Sequence, residues 1–171
     1  MPIKSFKERI FLIYKEWNLY DSKKITGNIF DSDKDNYFIH CLSKDWYLGG
    51  GIAQQFQNKF KIMEQLEEIF HKDKDKYINS KVILTGNVFN MFTKTFVFQK
   101  SSYSSIESCL KEVKSICSKK NISKLAMPRI GCGIDGLCWS KVKKIIKSVF
   151  ENSDISISVY YLDKEVDSNG N

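Results

Sequence analysis

The sequence predicts a single α/β domain, on three observations. Short apolar, β-branched runs alternate with stretches whose apolar residues recur at helical spacing, the pattern of a sheet covered by helices. The run Tyr37-Phe38-Ile39-His40-Cys41-Leu42 is almost continuously apolar, as a strand buried on both faces of a parallel sheet must be. Two glycine clusters, Leu48-Gly49-Gly50-Gly51-Ile52-Ala53 and Ile130-Gly131-Cys132-Gly133-Ile134-Asp135-Gly136, each follow an apolar run and precede an amphipathic one, where strands give way to helices. With 171 residues, 42% of them hydrophobic, the chain has material for one substantial core. No internal repeat, low-complexity tract or linker divides it.

Taken in order, residues 4–20 carry apolar positions at Phe6, Ile10, Ile13, Tyr14 and Trp17, close to helical spacing. The segment Ile10-Phe11-Leu12-Ile13-Tyr14 also suits a strand, and a helix packed on the main body is the expected outcome. Residues 24–29 predict a short strand closed by Gly27, residues 31–36 a polar loop, and residues 37–42 the buried strand. After the triple glycine, Ile52, Phe56 and Phe60 recur at helical intervals, and Ile62, Leu66, Ile69 and Phe70 continue a second helical face. Residues 81–85 and 88–93 read as adjacent strands, with Gly86-Asn87 supplying hairpin-turn chemistry. Residues 104–119 predict a helix with Ile106, Leu110, Val113 and Cys117 on one face. A strand over 124–127, a helix over 139–150 and a final strand over 155–162 follow. The expected organisation is an N-terminal extension (1–23) packed on a domain (24–162), with a polar, frayed tail (163–171). Strands alternating with helices give a three-layer α/β/α sandwich around a central mixed sheet, with ligands at the carboxyl ends of the strands.

The formal net charge of +7, from 27 Lys+Arg against 20 Asp+Glu, favours anionic ligands, although the alternating run Lys72-Asp73-Lys74-Asp75-Lys76 reads as solvated loop. The five cysteines include no C-x-x-C pair and have only His40 and His71 to join them, so no metal site is expected. An odd cysteine count with no secretory leader reads as free thiols in a reducing compartment. The N-terminus is too charged for a signal peptide, and no apolar run reaches membrane-spanning length. The expectation is an intracellular, cytoplasmic monomer (nuclear if the host is eukaryotic) that needs no membrane and no cofactor.

Residues 131–136 match G-x-G-x-x-G letter for letter. A dinucleotide-binding fold needs that turn after its first strand, and here a single strand is left to follow, so that reading fails. No G-x-x-x-x-G-K-[ST] loop exists either. One glycine cluster alone suits a tight turn. Two, each at a strand-to-helix junction, point to backbone amides cradling two or more phosphates. His40, inside a buried strand, reads as a satisfied core histidine. Cys132 reads as a small neutral loop residue, since a thiolate there would repel a diphosphate.

The order Thr26-Gly27-Asn28-Ile29-Phe30, Ile39-His40-Cys41-Leu42-Ser43, Gly49-Gly50-Gly51-Ile52-Ala53, Phe92-Thr93-Lys94 and Met127-Pro128-Arg129-Ile130-Gly131-Cys132-Gly133-Ile134-Asp135 resembles a macrodomain. Within that family it is similar to the terminal ADP-ribose protein glycohydrolase, or O-acetyl-ADP-ribose deacetylase, subgroup. The likeness spans residues 24–162 and leaves residues 1–23 outside. It implies a macrodomain sandwich that binds ADP-ribose and acts on ADP-ribosylated protein or nucleic acid, in roles such as reversal of ADP-ribosylation after DNA damage. Carried over by position, Lys94 is the nucleophile that attacks the anomeric carbon of the distal ribose, and Asp135 is the acid/base that helps release ADP-ribose. The amides of Gly50, Gly51 and Ile52, and those from Gly131 through Cys132 and Gly133 to Ile134, hold the diphosphate. Ser43 lies by the distal ribose. Ile29, Gly49, Ala53, Thr93, Pro128 and Ile130 complete the expected contact set. Asn28 departs from the family, which usually has an aspartate there to accept from the adenine amino group. Tyr160 or Tyr161 suits either adenine stacking or core packing.

The chemistry is reasonable from below: a lysine must lose its proton to be nucleophilic, desolvation favours that loss, and a nearby carboxylate can take the proton. Alone, a lysine at a strand end is usually a solvated charge and an aspartate in a glycine loop is usually a turn residue. Their joint presence favours a hydrolase that removes ADP-ribose from acidic side chains, from O-acetyl-ADP-ribose or from modified nucleic acid. A non-catalytic ADP-ribose reader, an ADP-ribose 1″-phosphate phosphatase and a direct nucleic-acid binder are the alternatives.

Overall fold

The computed structural model describes residues 25–26, 28–48 and 50–161. In chain order the elements are β1 (Ile25–Thr26), a 3-10 turn (Ile29–Asp31), β2 (Tyr37–Ser43), α1 (Gly51–Phe60), α2 (Ile62–Lys72), α3 (Lys74–Tyr77), β3 (Val82–Thr85), β4 (Val88–Lys94), α4 (Tyr103–Lys120), β5 (Lys124–Pro128), α5 (Trp139–Phe150) and β6 (Ser156–Tyr161). The predicted N-terminal helix and the polar tail lie outside the described residues.

The strands form one six-stranded mixed sheet in the order β1-β6-β5-β2-β4-β3. Every neighbouring pair is parallel except β3 and β4, which pair antiparallel through the tight turn at Gly86-Asn87. Gly86 has φ of 55°, a left-handed backbone that glycine takes without strain. Crossovers between the parallel strands are helical, as parallel pairing demands.

The period of two along each strand sorts the core into two halves. Ile39, Phe89, Met91, Leu125, Met127, Ile157 and Val159 face one way, against Ile106, Leu110 and Val113 of α4 and Val142, Ile146 and Val149 of α5. Phe38, Leu42, Ile83, Val88, Phe92 and Ala126 face the other, against Phe56 of α1 and Ile62 and Leu66 of α2. Helices on both faces of the sheet make the three layers expected. Each fully buried large side chain, Phe56, Phe89 and Leu110 among them, contributes about 1.5–3 kcal/mol by leaving water. Helix α4 starts in a reciprocal Ser102–Ser105 capping box and ends at Asn121 in the left-handed region, φ 55°.

Two local expectations change. Of the strand expected over residues 24–29, Ile25–Thr26 are strand, and Ile29 belongs instead to the 3-10 helix, which the Asn28 side chain caps by accepting the Phe30 N–H at 3.1 Å. His40 is fully buried and stacks on Phe56 with ring centroids 4.6 Å apart, but it is satisfied at one nitrogen only. Asn90 donates its amide N–H groups to the Ile83 carbonyl at 2.9 Å and to Thr85 Oγ1 at 2.8 Å, which fixes Oδ1 as an acceptor. His40 Nε2, 2.7 Å from that oxygen, therefore carries the ring proton, and Nδ1 has no hydrogen-bond partner among the described residues. Burial pushes this imidazole down to about 4, so it is neutral.

Candidate active site

Because β2, β4, β5 and β6 run parallel, their carboxyl ends share one edge of the fold, and the register sets Ser43 beside Lys94 and Pro128 beside Tyr160. Open α/β sheets bind their ligands at such an edge. The two glycine clusters occupy the loops that leave β2 and β5 there.

The first cluster opens α1. Gly50 is the N-cap in extended backbone, and Gly51 takes φ of 58°. The amides of Gly51, Ile52 and Ala53 begin a ten-residue helix, where N–H groups lack intrahelical acceptors and the helix dipole favours an anion. A Cβ on Gly51 would lie 3.9 Å from Ile134 Cδ1, so the two clusters face each other at close range. Gly49 lies outside the described residues.

The second cluster folds on itself. Within it, the Cys132 N–H donates to Arg129 O at 3.2 Å, Gly136 N–H to Gly133 O at 3.1 Å and Leu137 N–H to Gly131 O at 2.9 Å. Gly131 has φ of 72°, a left-handed backbone that disfavours a side chain, and a Cβ there would also displace Leu137 Cδ1, 2.8 Å away. The Cys132 amide is thus turned into the loop, whereas those of Gly133 and Ile134 take no backbone acceptor among the described residues. The Cys132 thiol donates to the Ile130 carbonyl at 3.4 Å, which requires its protonated, neutral form. Ile130 is buried in the core and anchors the loop.

Lys94 meets Asp135 of the second cluster. Lys94 ends β4, and its Nζ lies 2.8 Å from Asp135 Oδ1, with the two side chains only 13% and 9% exposed. Asp135 is held from its other oxygen by Ser101, whose hydroxyl donates to Oδ2 at 2.5 Å. Since that proton is committed to the carboxylate, Thr93 Oγ1, 2.6 Å from Ser101 Oγ, donates to Ser101. Thr93 and Ser101 are both buried, and the chain Thr93–Ser101–Asp135–Lys94 sets the carboxylate in one orientation.

Ser43, also buried, gives its hydroxyl proton to Asp45 Oδ1, and Asp45 Oδ2 accepts the Val97 N–H at 3.0 Å. Led by the Ser43 hydroxyl, these donors hold the Asp45 carboxyl below the usual carboxylate range. Neither Ser101 nor Asp45 was anticipated from the sequence. Both sit in polar runs with no periodicity, and only the Ser102 cap that follows Ser101 marks its surroundings. Asn28 is exposed and Ile29 is buried, so Ile29 presents backbone rather than side chain. Tyr160 is partly buried against the apolar cluster under α1 and α2; the Tyr161 side chain lies outside the described residues. Among the described residues no group of three or more His, Cys, Asp or Glu is placed to hold a metal ion, and none of their helices is long and apolar enough to cross a membrane.

The family model for the Macro domain matches residues 39–146. ADP-ribose glycohydrolase OARD1 of Homo sapiens is 34% identical over 139 residues, covering 81% of this chain and 90% of that protein, and the Bos taurus protein matches equally. Among solved structures, the macrodomain of Mycobacterium tuberculosis DarG superposes with a TM-score of 0.68 at 23% identity, covering 78% of this chain and 93% of that one. Thermosipho africanus DarTG in complex with ADP-ribose gives 0.64 at 21% identity, covering 84% of this chain and 42% of that one. The family match, the relatives over most of both lengths and the shared three-layer fold lead to one conclusion: the chain belongs to the macrodomain family.

Proposed function

We propose that the protein binds ADP-ribose and hydrolyses ADP-ribosyl linkages, with Lys94 as nucleophile and Asp135 as its proton partner. The observation that carries this reading is the largely buried Lys94–Asp135 pair, 2.8 Å apart, with Asp135 in one of two facing glycine loops whose amides suit a diphosphate. Similarity to the OARD1 glycohydrolases supports the same class of reaction. Lys94 gives a proton to Asp135, and its nitrogen lone pair forms a bond to C1″ of the distal ribose. The C1″–oxygen bond breaks with its electron pair going to the acceptor, which leaves as a carboxylate or other conjugate base. Water then attacks C1″ and the bond to Nζ breaks with its electron pair left on nitrogen; Asp135 returns its proton to the amine, its freed carboxylate takes the proton that the water sheds and passes it to solvent, and ADP-ribose departs. Acceptors in this reading are acidic side chains, O-acetyl-ADP-ribose and modified nucleic acid. The buried serine chain behind Asp135 favours hydrolysis over a reader role, because a module that only binds has no use for an oriented carboxylate beside a desolvated lysine.

ADP-ribose is expected to raise the melting temperature, since a ligand specific for the folded state stabilises it by about 2.7 kcal/mol at a hundredfold excess over Kd. Calorimetry without heat, and no thermal shift at millimolar ADP-ribose, rejects the reading as a whole. At the adenine end, Asn28→Asp is expected to tighten ADP-ribose binding about fivefold, because a charge-assisted hydrogen bond to the adenine amino group exceeds a neutral one by ~1 kcal/mol. The aspartate keeps the cap on the Phe30 N–H that Asn28 now provides. Isothermal titration of the two proteins decides it, and equal or weaker binding means the adenine is held elsewhere.

A further inference from the structure

Six large apolar side chains stand exposed among the described residues: Tyr47, Ile78, Phe96, Val97, Phe98 and Ile134. Five of them lie on the segments that carry Lys94 and Asp135 or on the loop bonded to those segments. Phe96, Val97 and Phe98 follow Lys94 almost directly, Ile134 precedes Asp135, and Tyr47 lies two residues after Asp45, whose carboxylate accepts the Val97 N–H at 3.0 Å. Single exposed apolar residues are ordinary; five on the segments next to one buried ion pair mark a contact surface.

The chemistry of this surface is specific. The Phe96 and Phe98 rings lie parallel, 5° apart in plane with centroids separated by 5.4 Å, and Phe98 is 81% exposed, which leaves an aromatic face bare to solvent. The segment is held in place before anything binds: Gln99 Oε1 accepts the Thr95 and Phe96 N–H groups at 3.1 and 3.0 Å, and the Gln99 N–H closes the turn on Phe96 O at 3.0 Å. Little ordering entropy is left to lose on binding. Lys44, whose N–H bonds the Lys94 carbonyl at 3.0 Å, and Lys100 flank the segment, both exposed and neither ion-paired with a described residue. Flat aromatic faces between exposed ammonium groups fit stacked bases and their phosphates, the chemistry of single-stranded nucleic acid. An acidic peptide would engage the lysines and leave the rings idle.

We propose that Phe96 and Phe98, with Tyr47 beside them and Lys44 and Lys100 at the edges, form a platform for the acceptor strand: a base of a single-stranded nucleic acid carrying the ADP-ribosyl group stacks there while the modified position reaches Lys94. This rests on the reading of Lys94 and Asp135 as a hydrolytic pair. The test uses the full chain, its Phe98→Ala variant and the double variant Phe96→Ala/Phe98→Ala. Phe98 is so exposed that its loss leaves the fold unstrained, which keeps the test sound should the double variant misfold.

One arm measures fluorescence anisotropy of a labelled, unmodified single-stranded oligonucleotide at two salt concentrations. The other compares kcat/KM on an ADP-ribosylated oligonucleotide, a glutamate-ADP-ribosylated peptide and O-acetyl-ADP-ribose. The expected result is salt-dependent oligonucleotide binding that weakens at least about tenfold when the rings are removed. The ratio of kcat/KM on the modified oligonucleotide to that on O-acetyl-ADP-ribose should fall by a similar factor. Unchanged oligonucleotide binding overturns the platform, and an equal loss on the peptide overturns it in favour of a protein-docking surface. Ring-dependent oligonucleotide binding by a protein that turns over none of the three substrates upholds the platform and defeats the hydrolytic reading instead.

Discussion

Lys94→Ala is expected to lower turnover of ester-linked ADP-ribose by on the order of 10³-fold or more while leaving ADP-ribose affinity nearly intact, because the loop amides, not this side chain, hold the diphosphate. The alanine also leaves Asp135 without its cation, and breaking a buried pair can cost several kcal/mol, so loss of activity alone is ambiguous. Lys94→Arg removes the ambiguity. A guanidinium can keep the ion pair with Asp135 and the fold, but it does not deprotonate and cannot attack carbon. Both variants are expected to be inactive, and the arginine variant should melt close to the parent. Asp135→Ala separates the two chemical steps: the largely buried Lys94, left without a counter-charge, gives its proton to solvent and still attacks, but nothing takes the proton of the incoming water, so an ADP-ribosyl adduct on Lys94 should accumulate and be located by mass spectrometry of the digested protein. Full activity of Lys94→Arg would exclude covalent catalysis and leave attack by water.

Much of the architecture was legible because strand and helix periods are local properties. The alternation Phe38, Leu42 against Ile39, Cys41 within β2 already divides the core into its two halves, and the Gly86-Asn87 pair announces the one antiparallel turn. The glycine loops were legible as strand-to-helix junctions; Lys94 and Asp135 were singled out only by the resemblance to macrodomains, and the structure sets them 2.8 Å apart. What surrounds the pair was not legible. Ser101 reaches Asp135 across 34 residues of sequence and Asp45 reaches Val97 across 52, contacts that no spacing encodes. The Phe96-Val97-Phe98 segment has neither period nor turn signature, so nothing in its composition says that its rings stay out of the core. The direction of the Cys132 amide, inward to Arg129 rather than out to a ligand, is set by the loop's own hydrogen bonds rather than by residue type.

The second large effect is on stability rather than activity, and it comes from the buried imidazole. His40 is neutral in the folded protein because burial pushes its pKa from the ordinary 6.5 down to about 4, with the Asn90 hydrogen bond only partly opposing the shift. The folded state therefore binds fewer protons than the unfolded state between those two values, and stability must rise with pH across that window. Read downwards, the contribution of His40 is whole above pH 6.5 and is lost progressively as the solution approaches pH 4, by about 3 kcal/mol in total at 1.36 kcal/mol per unit. Other groups contribute their own slopes, among them the hydrogen-bonded carboxylates of Asp45 and Glu64, whose lowered values take effect at more acid pH. His40→Phe isolates the effect: the ring can still stack on Phe56, but it does not titrate. At pH 7 the variant is expected to be less stable than the parent by about 1–3 kcal/mol, because Asn90 Oδ1 loses its donor inside the sheet. Between pH 6.5 and 4 the gap should close and then reverse, as the parent loses stability that the variant never had. Urea midpoints of both proteins at pH 7.0, 5.5 and 4.5 check this, and parallel curves with a constant gap would show that His40 binds its proton equally well folded and unfolded.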